Sequence, residues 1–76
     1  MNTQKNEGKK WTGVTVTPAV AEGLKHYLKT QKIDFEPSSC YELIHIEFLA
    51  TDAEVIKIFN VLNDLTLTEL KNFTKN

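Results

Sequence analysis

The sequence predicts an α+β domain of element order β-α-β-β-α, and three observations predict it. The first is the run Tyr41–Leu49, YELIHIEFL, whose apolar residues recur with period 2. The second is a pair of helix-opening signals, Thr17-Pro18 and Thr51-x-x-Glu54, each followed by apolar residues at helical spacing. The third is two shorter alternating stretches, Thr12–Thr17 and Ile33–Glu36, which bracket the first helical segment.

Residues 1–10 carry no large apolar side chain after Met1 and are rich in Lys, Asn and Gln. Such a segment buries nothing to offset its ordering entropy, so a disordered tail is expected, with a single domain over 11–76. Lys9 and Lys10 before Trp11 form too small a basic patch for nucleic acid, and Trp11 is expected to pack at the start of the domain. The stretch TGVTVT is rich in β-branched residues and reads as a strand with Val14 and Val16 facing the core.

At Thr17-Pro18 the period changes. Thr is a good N-cap, Pro suits the first helical position, and Glu22 follows early enough to complement the helix dipole. The helix is expected over Pro18–Gln31, with Val20, Leu24, Tyr27, Leu28 and Gln31 as its inner stripe. Gly23 lies on that side and costs about 1 kcal/mol against Ala in a helix interior, which close packing on the sheet would justify. Lys25, Lys29 and Lys32 recur along the opposite side beside His26, a row that is either a solvated face or an anion contact.

Ile33-Asp34-Phe35-Glu36 alternates again, with Ile33 and Phe35 inward. Pro37-Ser38-Ser39 reads as a turn that leads through Cys40 into the third strand. In that strand Ile44, Ile46 and Phe48 face one way. Tyr41, Leu43, His45, Glu47 and Leu49 face the other. The second face is mixed rather than charged, which places the strand at the centre of the sheet.

Thr51-Asp52-Ala53-Glu54 is a capping box that opens a helix expected to end near Asn63. Its apolar set, Val55, Ile56, Ile58, Phe59, Val61 and Leu62, is wider than one sheet face requires, so Ile56 or Val61 is expected at the surface. The remainder supports two readings. Leu65-Thr66-Leu67-Thr68 alternates like a fourth strand after an Asn63-Asp64 turn. Thr66-x-x-Glu69 is a second capping box, with Leu67, Leu70 and Phe73 at helical spacing, and a short third helix is the preferred reading.

A right-handed crossover between the first two strands leaves a gap that the third, antiparallel to both, fills. This is the ferredoxin-like arrangement, with a short C-terminal helix or a fourth strand completing it. Both helices then cover one sheet face and leave the other uncovered. An uncovered face bearing Tyr41, Leu43, His45, Glu47 and Leu49 is an expected contact surface, and a homodimer is the simplest occupant.

Composition narrows the function. The 76 residues carry a formal charge of −1, and all the basic residues are lysines, nine in total and without arginine. Bidentate guanidinium contacts to phosphate, carboxylate or guanine are therefore absent, which disfavours nucleic-acid recognition. One cysteine, Cys40, permits neither an intramolecular disulfide nor a cysteine-rich metal site. No apolar run reaches the roughly 20 residues of a membrane span, and the N-terminus lacks a secretory h-region, so a cytoplasmic protein is expected.

His45 and Glu47 share a strand face and could act as a base or hold a metal. With Cys40 expected on the opposite face no third group joins them, so an interface hydrogen bond is the favoured role. No catalytic, cofactor or metal residues are assigned, and no Gly-rich phosphate loop or hydrolase triad is present.

The stretch IDFEPSSCYELIHIEFLATDAEVIKIFNVL, with the helix before it, resembles in pattern the small regulatory ACT domains that sense amino acids. It departs from them where their first turn carries a glycine, since Thr17-Pro18 stands here. The resemblance implies a metabolite bound at a dimer interface near Tyr41, His45 and Glu47. The residues themselves favour a non-enzymatic protein-binding or regulatory module, an inhibitor or adaptor of a larger protein, working through Tyr41, Leu43, His45, Glu47, Leu49, Ile56 and Val61. Nucleic-acid binding through Lys25, Lys29 and Lys32 is the weakest alternative.

Overall fold

The computed structural model describes residues 8–74, with side-chain environments through residue 71. The tail expected over 1–10 falls largely outside the described residues; its end does not, because Lys10 already pairs with Ala50. The elements are β1 (Lys10–Val16), α1 (Pro18–Thr30), β2 (Phe35–Cys40), β3 (Leu43–Ala50) and α2 (Asp52–Thr74). The sheet order is β1-β3-β2, with β3 antiparallel to both neighbours. The element order and the central place of the third strand are as the sequence predicts.

One face of the sheet builds the core. Ile46 and Phe48 are fully buried there, flanked by Val14, Val16, Phe35 and Ile44. Over them α1 lays Ala21, Leu24 and Leu28, and α2 lays Ile58. The core contains no buried polar side chain among the described residues. Gln31, expected in the stripe of α1, is instead an exposed cap residue.

Both ends of α1 are closed by local chemistry. The Thr17 hydroxyl accepts the Val20 N–H at 3.3 Å, and Pro18 follows at the first helical position. At the other end Lys32 adopts φ 60°, its N–H donates to the Lys29 carbonyl at 3.1 Å, and the Ile33 N–H donates to the Leu28 carbonyl at 2.9 Å. This is a Schellman closure, with lysine where glycine is usual, and its apolar pair Leu28 and Ile33 is buried.

Two segments differ from the expectation. Pro37-Ser38-Ser39 is strand, not turn: Pro37 pairs with Ile46 and Ser39 with Ile44. Proline is tolerated because β2 is an edge strand and needs no second row of donors. The reversal falls on Tyr41-Glu42, a two-residue hairpin turn in which Tyr41 takes φ 59°. Tyr41 therefore lies outside the strand that the alternation assigned to it.

The second difference is α2, which runs 23 residues without interruption, so that neither a fourth strand nor a separate third helix forms among the described residues. Its start is the predicted capping box. The Glu54 N–H donates to Thr51 Oγ1 at 3.2 Å, and the Thr51 N–H donates to Glu54 Oε1 at 2.9 Å. Asn63 and Asp64 each cost at most about 0.7 kcal/mol as helical residues, less than burying Leu62 and Leu65 returns. Thr66 caps nothing; its hydroxyl donates back to the Leu62 carbonyl at 2.9 Å.

Candidate functional site

The register fixes what the uncovered sheet face displays. Residues opposite each other across a ladder share a face. Trp11 lies opposite Leu49, Gly13 opposite Glu47, Thr15 opposite His45, Ser38 opposite His45 on the other side, and Cys40 opposite Leu43. The face thus has an apolar end at Trp11 and Leu49, a polar middle, and a second apolar end at Leu43 and Cys40.

His45 is held from three sides. Its Nδ1 lies 2.9 Å from Thr15 Oγ1, and its Nε2 lies 3.5 Å from Glu47 Oε2. The ring rests on Gly13, where an added Cβ would come within 2.8 Å of both Cε1 and Nε2. A glycine inside a strand often marks such a close approach. Because a carboxylate only accepts, Glu47 favours the proton on Nε2, which leaves Nδ1 to accept from the Thr15 hydroxyl. Both partners fix the orientation of an imidazole whose edge is open to solvent. The arrangement presents a positioned hydrogen-bonding group, with the Thr15 hydroxyl on one ring nitrogen and the Glu47 carboxylate beside the other.

The structure sorts the predicted surface residues. Leu43, His45, Glu47 and Leu49 do share the open face. Tyr41 does not; it is fully exposed on the hairpin tip, because the chain reverses there rather than continuing as strand. Ile56 is 63% exposed on α2, as expected, whereas Val61 is half-buried and turned well away from it around the helix. Cys40, expected opposite His45, belongs to the same face and is exposed. The reversal at Tyr41-Glu42 breaks the count that had carried Cys40 to the other side. Even so, no group of three His, Cys, Asp or Glu that could hold a metal ion occurs among the described residues.

Of the lysine row, Lys25 is engaged with Glu22 at 3.2 Å, Lys29 is exposed in the last turn of α1, and Lys32 is the left-handed residue of the closure beyond it. Trp11 was the residue the periodicity missed. It is 53% exposed and sits on the open face rather than in the core. Extending the alternation of β1 two residues back from Gly13 would have placed it there.

A cleft of about 240 Å³ borders the Leu43 end of the sheet, lined by Thr15, Val16, Thr17, Val20, Leu43, Thr66 and Glu69. It is built where the end of β1 and the start of α1 meet the second half of α2.

No protein-family model, no curated protein and no solved structure matches this chain. No helix among the described residues is long and apolar enough to cross a membrane.

Proposed function

We propose that the chain is a small, non-enzymatic protein-binding module of regulatory type, an inhibitor or adaptor, which docks a larger cytoplasmic protein on its sheet face. The observation that carries the reading is the composition of that face. Two apolar ends, Trp11 with Leu49 and Leu43 with Cys40, frame a polar band in which His45 is held by Thr15 and Glu47. Aromatic and aliphatic anchors beside a fixed hydrogen-bonding group suit a protein surface, where anchors supply affinity and the polar band sets register. Glu36 and Glu47 stand in the same band, and arginine is absent from the chain, so a nucleic-acid backbone is a poor fit.

The sheet order supports a ferredoxin-like domain in which α2 continues where a fourth strand would return. Two edge strands and one face then stay available to the larger protein, and self-association into a homodimer away from that face belongs to the same reading.

Capture from lysate of the source cells tests it. Wild-type bait retains a protein that Leu43→Glu and Trp11→Ala baits lose. A captured set unchanged by both substitutions would contradict the proposal. The cleft beside Leu43 favours a second reading, a metabolite sensor. In that case a metabolite panel raises the melting temperature; a panel without any shift removes this alternative.

A further inference from the structure

The outer side of α2 carries an apolar stripe that the core does not use. Ile56 is 63% exposed, Phe59 45%, Leu67 48% and Leu70 53%. At 3.6 residues per turn these four and Asn63 fall within an arc of about 80°, and Ile56 lies about 21 Å along the helix from Leu70. The stripe has a centre. Phe59 and Leu67 stand four residues before and after Asn63, and Ile56 and Leu70 stand seven before and after it.

A pattern that reads the same in both directions is what an isologous two-fold contact requires, since each residue must meet its counterpart's partner. We propose that a second copy of this chain docks on the stripe, antiparallel, with the two-fold axis at Asn63. Ile56 then packs beside Leu70 of the other copy, Phe59 beside Leu67, and the two Asn63 amides pair at the axis. Asparagine can both donate and accept, so the amides satisfy each other, and a shifted register would bury each against leucine or phenylalanine.

The size of the surface suits a weak dimer. The four apolar side chains offer on the order of 400 Å² per copy, about half of what a standard interface buries on each partner. Asn60 and Thr66, both exposed, border the stripe, and exposed Asn63 at its centre adds to it. The formal charge of −1 puts little repulsion between copies. The contact deepens the binding-module reading by assigning self-association to α2, which leaves the sheet face for the other partner.

The test combines mass and orientation. Light scattering is expected to give two chains at about 100 µM and a mass approaching one chain near 1 µM, as a small interface implies. Ile56→Glu is expected to give one chain throughout with an unchanged helical circular dichroism spectrum, while Leu43→Glu leaves the dimer intact. Orientation is read in a Cys40→Ser background with a short bis-maleimide. Ile56→Cys and Leu70→Cys chains are expected to cross-link when mixed, and neither with itself.

A wild-type monomer at 100 µM would overturn the proposal. So would self-linking of Ile56→Cys, which indicates parallel helices, or a dimer that Leu43→Glu dissolves and Ile56→Glu spares. Failure of the sheet-face reading shows elsewhere, in capture that ignores Leu43, so the two outcomes are distinguishable.

Discussion

The Thr17 hydroxyl donates to Glu69 Oε1 at 2.9 Å, across 52 positions of sequence, while accepting the Val20 N–H that it caps. One side chain therefore closes the start of α1 and fastens the second half of α2 to it. The first turn of α1 has no acidic residue of its own. Glu69 brings a carboxylate to that end from another element, where the helix dipole favours negative charge.

Removing either partner is expected to weaken the fold, and removing both should cost less than the sum. Thr17→Ala loses the cap and the link, about 1–2 kcal/mol, and Glu69→Ala loses the link, about 1 kcal/mol. In the Thr17→Ala background the Glu69 substitution should cost little. Urea denaturation of the four chains measures the coupling, and additive losses would mean that the bond contributes nothing in solution.

Gly23 and Leu65 form a second coupled pair. A Cβ on Gly23 would lie 2.6 Å from Leu65 Cδ2, so the glycine admits α2 rather than the sheet. Gly23→Ala should therefore fail to deliver the roughly 1 kcal/mol that helix propensity alone would give. With Leu65→Ala already present the same substitution should deliver it. Equal effects in both backgrounds, read from denaturation midpoints, would contradict the close approach.

Lys32 and Tyr41 hold positive φ, at 60° and 59°, without the glycine that such angles favour. Lys32→Gly and Tyr41→Gly are each expected to stabilise by about 0.5–1 kcal/mol, since removal of the Cβ strain outweighs the added freedom of the unfolded chain. Tyr41 buries nothing, so no packing is lost with it. A fall in thermal midpoint for the Tyr41 variant would show that the side chain has a contact in solution.

The contacts of His45 predict its tautomer. With Glu47 beside Nε2 and the Thr15 hydroxyl beside Nδ1, the neutral ring should carry its proton on Nε2. Long-range nitrogen–proton correlation spectra distinguish the two forms. Glu47→Gln should weaken the preference, and a ring protonated on Nδ1 in the native chain would contradict the geometry.

Local signals were legible where the residues responsible were neighbours in sequence. The capping box at Thr51 and Glu54, the cap at Thr17 and the inward set Ile44, Ile46 and Phe48 could all be read from spacing. The hairpin was not, because Pro37-Ser38-Ser39 has stronger turn chemistry than Tyr41-Glu42, and tertiary pairing with Ile44 and Ile46 overrode it. Misplacing that turn moved Tyr41 onto the open face and Cys40 off it. The continuity of α2 was hidden for a similar reason. Its support, Leu65 on Gly23 and Glu69 on Thr17, comes from a helix more than 40 positions away.

The proposed contact leaves the sheet face open in the isolated protein and covers it when a protein partner docks. Trp11, the chain's one tryptophan, stands on that face and reports on it directly. Acrylamide quenching of its fluorescence, with and without the protein captured by wild-type bait, is the decisive measurement. Efficient quenching is expected at every concentration of the isolated chain, with marked protection once the captured protein is added. Quenching that the captured protein leaves unchanged, or that declines as the isolated chain is concentrated, would contradict the proposal.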